Sequence, residues 1–360
     1  MKRLSTKATS IKPSGIRKFF DLANTMEGVI SLGVGEPDFA TPWHICENAI
    51  HYMSTGHTHY TANRGLLELR EEICKFHKEH YNQVYDPESE VIVTIGGSEA
   101  IDLCMRALLN PGDEVIVLDP NYVAYAPSVI LSDGVVVPLQ LKEENDFKII
   151  PEDLKKVITP KTKAMIINYP SNPTGGVMTK EDYAKIVDII KESGIYVVSD
   201  EIYAELSFDQ PFASLAQFDE IKSQIIVVNG FSKAYAMTGW RLGYCMANKE
   251  LSSVMNKIHQ YVIMSAPVMS QYAGIEAIKN GYDDVLMMKE DYLKRRNFLV
   301  NRLNRMGLKT NMPHGTFYVF CNIQSTGLDS ETFCERLLQE QKVACVPGNA
   351  FGESGEGYIR

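Results

Sequence analysis

At 360 residues the chain exceeds one ordinary hydrophobic core, so a large domain and a smaller one are expected. A composition of 45% hydrophobic and 22% charged residues is that of an ordinary globular protein, and a formal net charge of -9 gives no basic footprint for nucleic acid. The seven cysteines (46, 74, 104, 245, 321, 334 and 345) form no Cys-x-x-Cys pair, no His-Glu-x-x-His spacing occurs, and no apolar run approaches the roughly 20 residues of a membrane span. This pattern predicts reduced thiols in a cytoplasmic protein, without a metal site or a membrane anchor.

Residues 1–30 are basic and irregular, with an amphipathic helix expected over residues 15–24, where Ile16, Phe19, Phe20 and Ala23 share one face. The glycines and proline of residues 31–39, Ser-Leu-Gly-Val-Gly-Glu-Pro-Asp-Phe, force a tight backbone. They are not a dinucleotide fingerprint, because Asp38 stands where the third glycine is needed and no βαβ unit surrounds it. A helix is predicted over residues 43–54, and another follows Tyr60-Thr-Ala-Asn-Arg-Gly65 and runs to about residue 80. From residue 90 apolar strands alternate with helical stretches, which predicts an α/β fold with a mostly parallel sheet covered on both faces. Strands are expected over residues 91–95, 114–118, 135–139, 164–168, 195–199 and 225–228. Helices are expected from about residue 99 to 109, up to 131, and over 152–158 and 180–192. A helical stretch including residues 256–278 should cross to the second domain, with a helix over 284–306 and an alternating strand over 315–321.

Chemistry concentrates where strands end, as it does in open α/β sheets. Gly96-Gly97-Ser98-Glu99 opens a helix, whose free N–H groups and positive dipole end make an anion site. Tyr122 ends the second strand of the sheet region and offers a flat aromatic face, and Asn172 follows the fourth in Ser-Asn-Pro-Thr-Gly. Asp200 and Tyr203 follow the fifth, where a carboxylate could equally cap the next element. After the sixth strand come Ser232-Lys233 and, eight residues beyond the lysine, Arg241. A desolvated lysine near another cation loses part of its preference for the charged form, and the neutral amine can attack a carbonyl.

The pattern Ser-Lys-x-x-x-x-x-Gly-x-Arg-x-Gly over residues 232–243 closely resembles the cofactor-lysine segment of the class I/II aminotransferases, pyridoxal 5'-phosphate (PLP) enzymes of fold type I. Six further segments resemble the same family in order: Leu-x-x-Gly-x-Pro-Asp-Phe from Leu32, Tyr-x-x-x-x-Gly-x-x-x-Leu-Arg from Tyr60, the Gly-Gly loop, Pro-x-aromatic at Tyr122, Asn-Pro-Thr-Gly from Asn172, and Asp200 with Tyr203. The aspartate and aromatic aminotransferases are the most similar group. The resemblance implies a large domain with a seven-stranded, mostly parallel sheet flanked by helices, and a smaller α+β domain. The expected division is an N-terminal arm with part of the small domain over 1–44, the large PLP-binding domain over 45–280, and the small domain over 281–360.

The resemblance also implies roles. Lys233 would bind PLP and act as general base, Asp200 would pair with the pyridine nitrogen, and Asn172 and Tyr203 would bond the phenolic oxygen. Tyr122 would stack on the ring, while Gly97, Ser98, Glu99, Ser232 and Arg241 would hold the phosphate. Tyr60 would reach the neighbouring subunit's site, so a homodimer is expected. Gly35, Tyr122 and Asn172 would lie against the substrate, with Arg360 gripping its α-carboxylate. The family continues beyond this arginine, so further residues are expected after Arg360. The implied reaction transfers an amino group between an L-amino acid and a 2-oxo acid such as 2-oxoglutarate. Some aspartate-using relatives carry a lysine where this chain has Ser98, and Tyr122 and Tyr125 favour aromatic or broad apolar donors, with aspartate the remaining possibility. Two alternatives stay open: a PLP-dependent carbon-sulfur β-lyase, and a PLP-binding regulator without turnover.

Overall fold

The computed structural model describes residues 4–11 and 26–360, and the helix expected over residues 15–24 lies outside them. The short strand β1 (Ile30–Ser31) is followed by helices α1 (Trp43–Ser54) and α2 (Leu67–Tyr81). Next come β2 (Val91–Thr94), α3 (Gly96–Leu108), β3 (Glu114–Asp119), α4 (Tyr125–Leu131) and β4 (Val135–Gln140). The chain continues through α5 (Pro151–Val157), β5 (Thr162–Asn168), α6 (Lys180–Ser193), β6 (Tyr196–Asp200) and β7 (Ile225–Gly230). Helix α6 starts at a reciprocal cap: Thr179 Oγ1 accepts from Asp182 N and Asp182 Oδ2 accepts from Thr179 N, both at 3.2 Å. Such a cap is worth about 1 kcal/mol. The helix stops at Gly194, whose φ of 67° suits a residue without a side chain.

After β7 the chain returns as β8 (Gly243–Met246), and helices α7 (Lys249–Val262), α8 (Val268–Asn280) and α9 (Tyr282–Arg305) follow. The last elements are β9 (Cys321–Asn322), α10 (Ser330–Gln341), β10 (Val343–Ala344) and β11 (Tyr358–Ile359). Seven strands form one sheet in the order β2-β8-β7-β6-β5-β3-β4. It is parallel from β7 to β4, while β8 runs antiparallel to both β7 and β2. Both faces are covered, and the strand residues divide between them with a period of two. Ile116, Leu118, Met165, Ile167 and Val227 enter one apolar cluster, whereas Val115, Val117, Ile166, Val198 and Val228 enter the other.

Three expectations are corrected. The helical stretch spanning residues 256–278 is broken between α7 and α8, since Pro267 caps α8 and Met264 takes a φ of 73°. Helix α8 packs on α1 and α2 instead of leaving the sheet region. Residues 315–321 are not an alternating strand: Cys321–Asn322 pairs with Tyr358–Ile359, and Gly315 makes one isolated bridge to Ser207. Thr316 has a φ of 65°, and Phe317 and Tyr318 both join the cluster around Tyr203, so the two-residue alternation is lost. Strand β8 was not foreseen. Its first residue, Gly243, pairs with both Gly230 and Thr94. A Cβ on Gly243 would lie 2.6 Å from the Gly96 carbonyl carbon, so glycine is what lets β8 meet the start of α3.

Candidate active site

A cavity of about 380 Å3 opens at the carboxyl ends of β3, β5, β6 and β7. Asp200, the last residue of β6, is buried beneath it, with its Oδ2 accepting from Tyr125 Oη at 2.6 Å and its Oδ1 from Ile202 N at 3.2 Å. Burial pushes this carboxyl up to about 6, against the opposing pull of the Tyr125 hydrogen bond. Asn168, at the end of β5, donates from Nδ2 to the Asp200 carbonyl at 2.8 Å and accepts from Asn172 N at 2.9 Å. One side chain thus sets two neighbouring strand ends in register.

Lys233 follows β7 and donates to the Gly35 carbonyl at 2.5 Å. Burial, with Arg360 next and Arg241 adding, lowers its amine to about 8. Arg241 lies two positions before β8, with a φ of 53°, and its Nη1 donates to Thr238 O at 3.1 Å. Its guanidinium lies against Gly96, where a Cβ would come within 2.7 Å of Nη2. Helix α3 begins at Gly96, three residues earlier than expected, so the two glycines form its first turn and Gly97 and Ser98 line the cavity beside Ser232. At the opposite end, Arg360 Nη1 donates to Asn172 Oδ1 and Nη2 to Gly33 O, each at 2.8 Å.

The cavity gathers Gly35, Gly97, Ser98, Tyr122, Asn172 and Asp200, and with them Tyr203, Ser232, Lys233, Arg241 and Arg360. Two predicted residues stand apart. The Glu99 carboxylate is turned from the cavity, accepting from Ile95 N and paired with His259 Nδ1 at 2.6 Å. Tyr60 is 83% exposed and does not line the cavity. Sequence reasoning missed Asn168 and Tyr318 and gave Tyr125 a different task. Tyr125 is not a free aromatic wall for a donor, because its hydroxyl is committed to Asp200. Its position, one residue into α4 and three after Tyr122, was the available signal.

The arrangement places an amine of lowered pKa and a buried carboxyl between two guanidinium groups, Arg241 beside the start of α3 and Arg360 at the opposite end. The model of the family "Aminotransferase class I and II" matches residues 27–360. The chain belongs to the class I and II aminotransferases. It is 50% identical to the putative aminotransferase YugH of Bacillus subtilis, over 99% of this chain and 92% of that protein. It is 44% identical to an aspartate aminotransferase of Pyrococcus abyssi, with the same coverage of each chain. The solved structure of an aromatic aminotransferase from Pyrococcus horikoshii superposes with a TM-score of 0.91 at 43% identity, covering 96% of this chain and 92% of that one.

As a fold type I aminotransferase the enzyme depends on PLP, and the β-lyase alternative is not favoured. The cavity fits that cofactor on its own chemistry. The α3 N-terminus, Ser232 and the Arg241 guanidinium provide donors and positive charge suited to a phosphate. The buried Asp200 carboxyl offers a partner to a ring cation, and Lys233 offers an amine to an aldehyde. Among the described residues no helix is long and apolar enough to cross a membrane.

Proposed function

We propose that this aminotransferase acts on aromatic or broadly apolar L-amino acids, with 2-oxoglutarate as the usual acceptor. The observation that carries this preference is the charge inventory of the cavity. Its cations among the described residues are Lys233, Arg241 and Arg360, and each has a task in the reading below, so no cation of this chain is dedicated to a side-chain carboxylate; an apolar donor needs none, and the distal carboxylate of 2-oxoglutarate is left to solvent or to the second copy. Ser98 stands at the start of α3, and the ring of Tyr122 packs edge-on to Tyr125 with centroids 5.5 Å apart. Assayed with 2-oxoglutarate, phenylalanine and tyrosine should exceed aspartate in kcat/KM; an advantage of about tenfold for aspartate would refute the preference.

PLP, when bound, supplies an aldehyde that captures amines and an electron-withdrawing ring. Lys233 would hold the cofactor until substrate takes its place, and its freed amine would then be the base for the proton on the substrate α-carbon. Asp200 keeps a proton on the ring nitrogen, and the Tyr125 and Asn168 hydrogen bonds fix it for that task. With Asn172 Oδ1 turned to Arg360, its Nδ2 is left to donate to the ring oxygen, together with the Tyr203 hydroxyl. The amides of Gly97, Ser98 and Glu99, with Ser232 and Arg241, bind the phosphate. Tyr122 covers one ring face. Arg360 takes the α-carboxylate through two parallel hydrogen bonds, which a planar guanidinium can make and an ammonium cannot, and Gly35 leaves room for the substrate beside it.

The working unit in this reading is a cytoplasmic homodimer in which Tyr60 reaches the second copy's phosphate. Support comes from the exposure of Tyr60 (83%), Tyr261 (85%) and Trp43 (68%), large aromatic side chains that a second copy could cover. All seven cysteines are free, as a reducing compartment requires. The separate cluster of Cys321, Ile323, Cys334, Cys345 and Ile359 supports a small domain after residue 280. Sedimentation should find two chains per particle and cell fractionation should find the enzyme in the cytosol; a monomer with full activity would remove Tyr60 from the site.

A further inference from the structure

The segment 315–321, expected to be a strand, instead delivers one buried side chain to the cavity wall. Tyr318 is 6% exposed, and its ring lies 4.1 Å from the Arg360 guanidinium. Its hydroxyl is 2.9 Å from the Tyr203 hydroxyl. The same hydroxyl packs under Gly35, where a Cβ would lie only 2.7 Å away. One phenol therefore touches the substrate anchor, the ring-oxygen donor and the segment to which Lys233 donates.

The backbone holds this placement from both sides. Thr316 N donates to Leu206 O at 2.9 Å, Phe208 N donates to His314 O at 2.8 Å, and Ser207 bridges to Gly315. Thr316 Oγ1 then accepts from Tyr318 N at 3.1 Å. The turn that carries Tyr203 and the segment that carries Tyr318 are thus stitched together and travel as one piece.

We propose that Tyr318 is a positioning residue whose ring orients Arg360 for the substrate carboxylate while its hydroxyl sets Tyr203 as a hydrogen-bond donor. This inference rests on the roles given above to Arg360 and Tyr203. Arg360 has two N–H groups occupied by Asn172 Oδ1 and Gly33 O, and the Tyr318 face fixes the plane in which the remaining donors point. Burial raises both phenols above their ordinary range, so both hydroxyls stay protonated. Two neutral hydroxyls share one hydrogen between them. When Tyr318 supplies it, the Tyr203 hydrogen is free for the ring oxygen, and the chain of two bonds strengthens that donation.

The two halves of the side chain can be tested separately in the PLP-loaded enzyme, by titrating the unreactive carboxylate 3-phenylpropionate against the visible absorption band. Tyr318→Met keeps an apolar filler of similar length and removes the aromatic face, and should raise the carboxylate Kd by about tenfold. Tyr318→Phe keeps the face and should leave Kd within about twofold of wild type. It should nevertheless move the pH midpoint of the visible band upward, because a weaker bond from Tyr203 leaves more charge on the ring oxygen to hold the neighbouring proton. Arg360→Lys serves as the reference. If Arg360→Lys weakens carboxylate binding and Tyr318→Met does not, the orienting role is overturned while the site reading stands. If Arg360→Lys itself has no effect, both fall. Should circular dichroism show that Tyr318→Met does not fold, Tyr318→Phe decides alone, and a midpoint equal to wild type rejects the inference.

Discussion

Lys233→Ala is expected to abolish transamination, with a loss of at least about ten-thousandfold, since it removes both the amine that holds the cofactor and the base that moves the substrate proton. The wild-type protein should be yellow and should retain a borohydride-reducible adduct on Lys233; the variant should show neither. The lowered pKa gives this prediction a second arm. The amine titrates at about 8, so its neutral, nucleophilic fraction grows as pH rises through that value. Capture of PLP by the cofactor-free protein should therefore accelerate between about pH 7 and 9 and level off above. A Lys233→Ala enzyme that turns over at the wild-type rate would falsify the assignment, and a capture rate that falls with pH would show that the ammonium form is not the obstacle.

Asp200→Asn should slow abstraction of the α-proton by about a hundredfold or more, a loss of roughly 2.7 kcal/mol of transition-state stabilisation. The amide has the shape of the carboxyl and can still accept from Tyr125 through its oxygen, so the fold and the loop geometry should survive. What it lacks is a charge to keep the ring nitrogen protonated. The protein has already accepted a cost to place that charge: burial holds the Asp200 carboxyl at about 6 even against the Tyr125 and Ile202 hydrogen bonds and the nearby Lys233 charge. Single-turnover measurements with an α-deuterated donor isolate the proton step, and a variant within about twofold of wild type would sink this role.

The parallel part of the sheet was legible because β3, β5, β6 and β7 are short β-branched runs bounded by turn residues, which local pattern alone can report. Tyr122, Asn172, Asp200, Tyr203, Ser232 and Lys233 were legible for a different reason: they stand at or just after the ends of such strands, where an open sheet binds ligands. Strand β8 escaped because its four residues, Gly-Tyr-Cys-Met, lack a strand-like pattern and are held by backbone contact between Gly243, Gly230 and Gly96. Tyr318 escaped for the converse reason. Its neighbours alternate convincingly, but Gly315 and the positive φ of Thr316 turn Phe317 and Tyr318 into the same cluster, an outcome set by the distant turn at Leu206. Likewise, nothing local in Tyr125 says that its hydroxyl is needed 75 positions away. Long-range hydrogen bonds between side chains leave no periodic trace.

The antiparallel seat of β8 has a mechanical consequence. Lys233 and Arg241 lie on one loop clamped at both ends, since β7 and β8 pair from Val227 with Met246 through Gly230 with Gly243, and Gly243 rests on the first turn of α3. The separation between the Lys233 amine and the Arg241 guanidinium is therefore constrained by the β7–β8 pairing. Arg360 and Gly35 hang from another beam. Ile30 N and Leu32 N donate to the carbonyls of Lys342, just before β10, and Ala344, its last residue, and two residues later Val346 exchanges both backbone hydrogen bonds with Arg360. Arg360 and Gly35 are therefore placed by one shared strand, and they meet the rest of the cavity through side-chain hydrogen bonds, Arg360 to Asn172 and Lys233 to Gly35. Two separate strand systems thus set the two sides of the cavity, the β7–β8 pair for Lys233 and Arg241 and the β1–β10 pair with Val346 for Gly35 and Arg360.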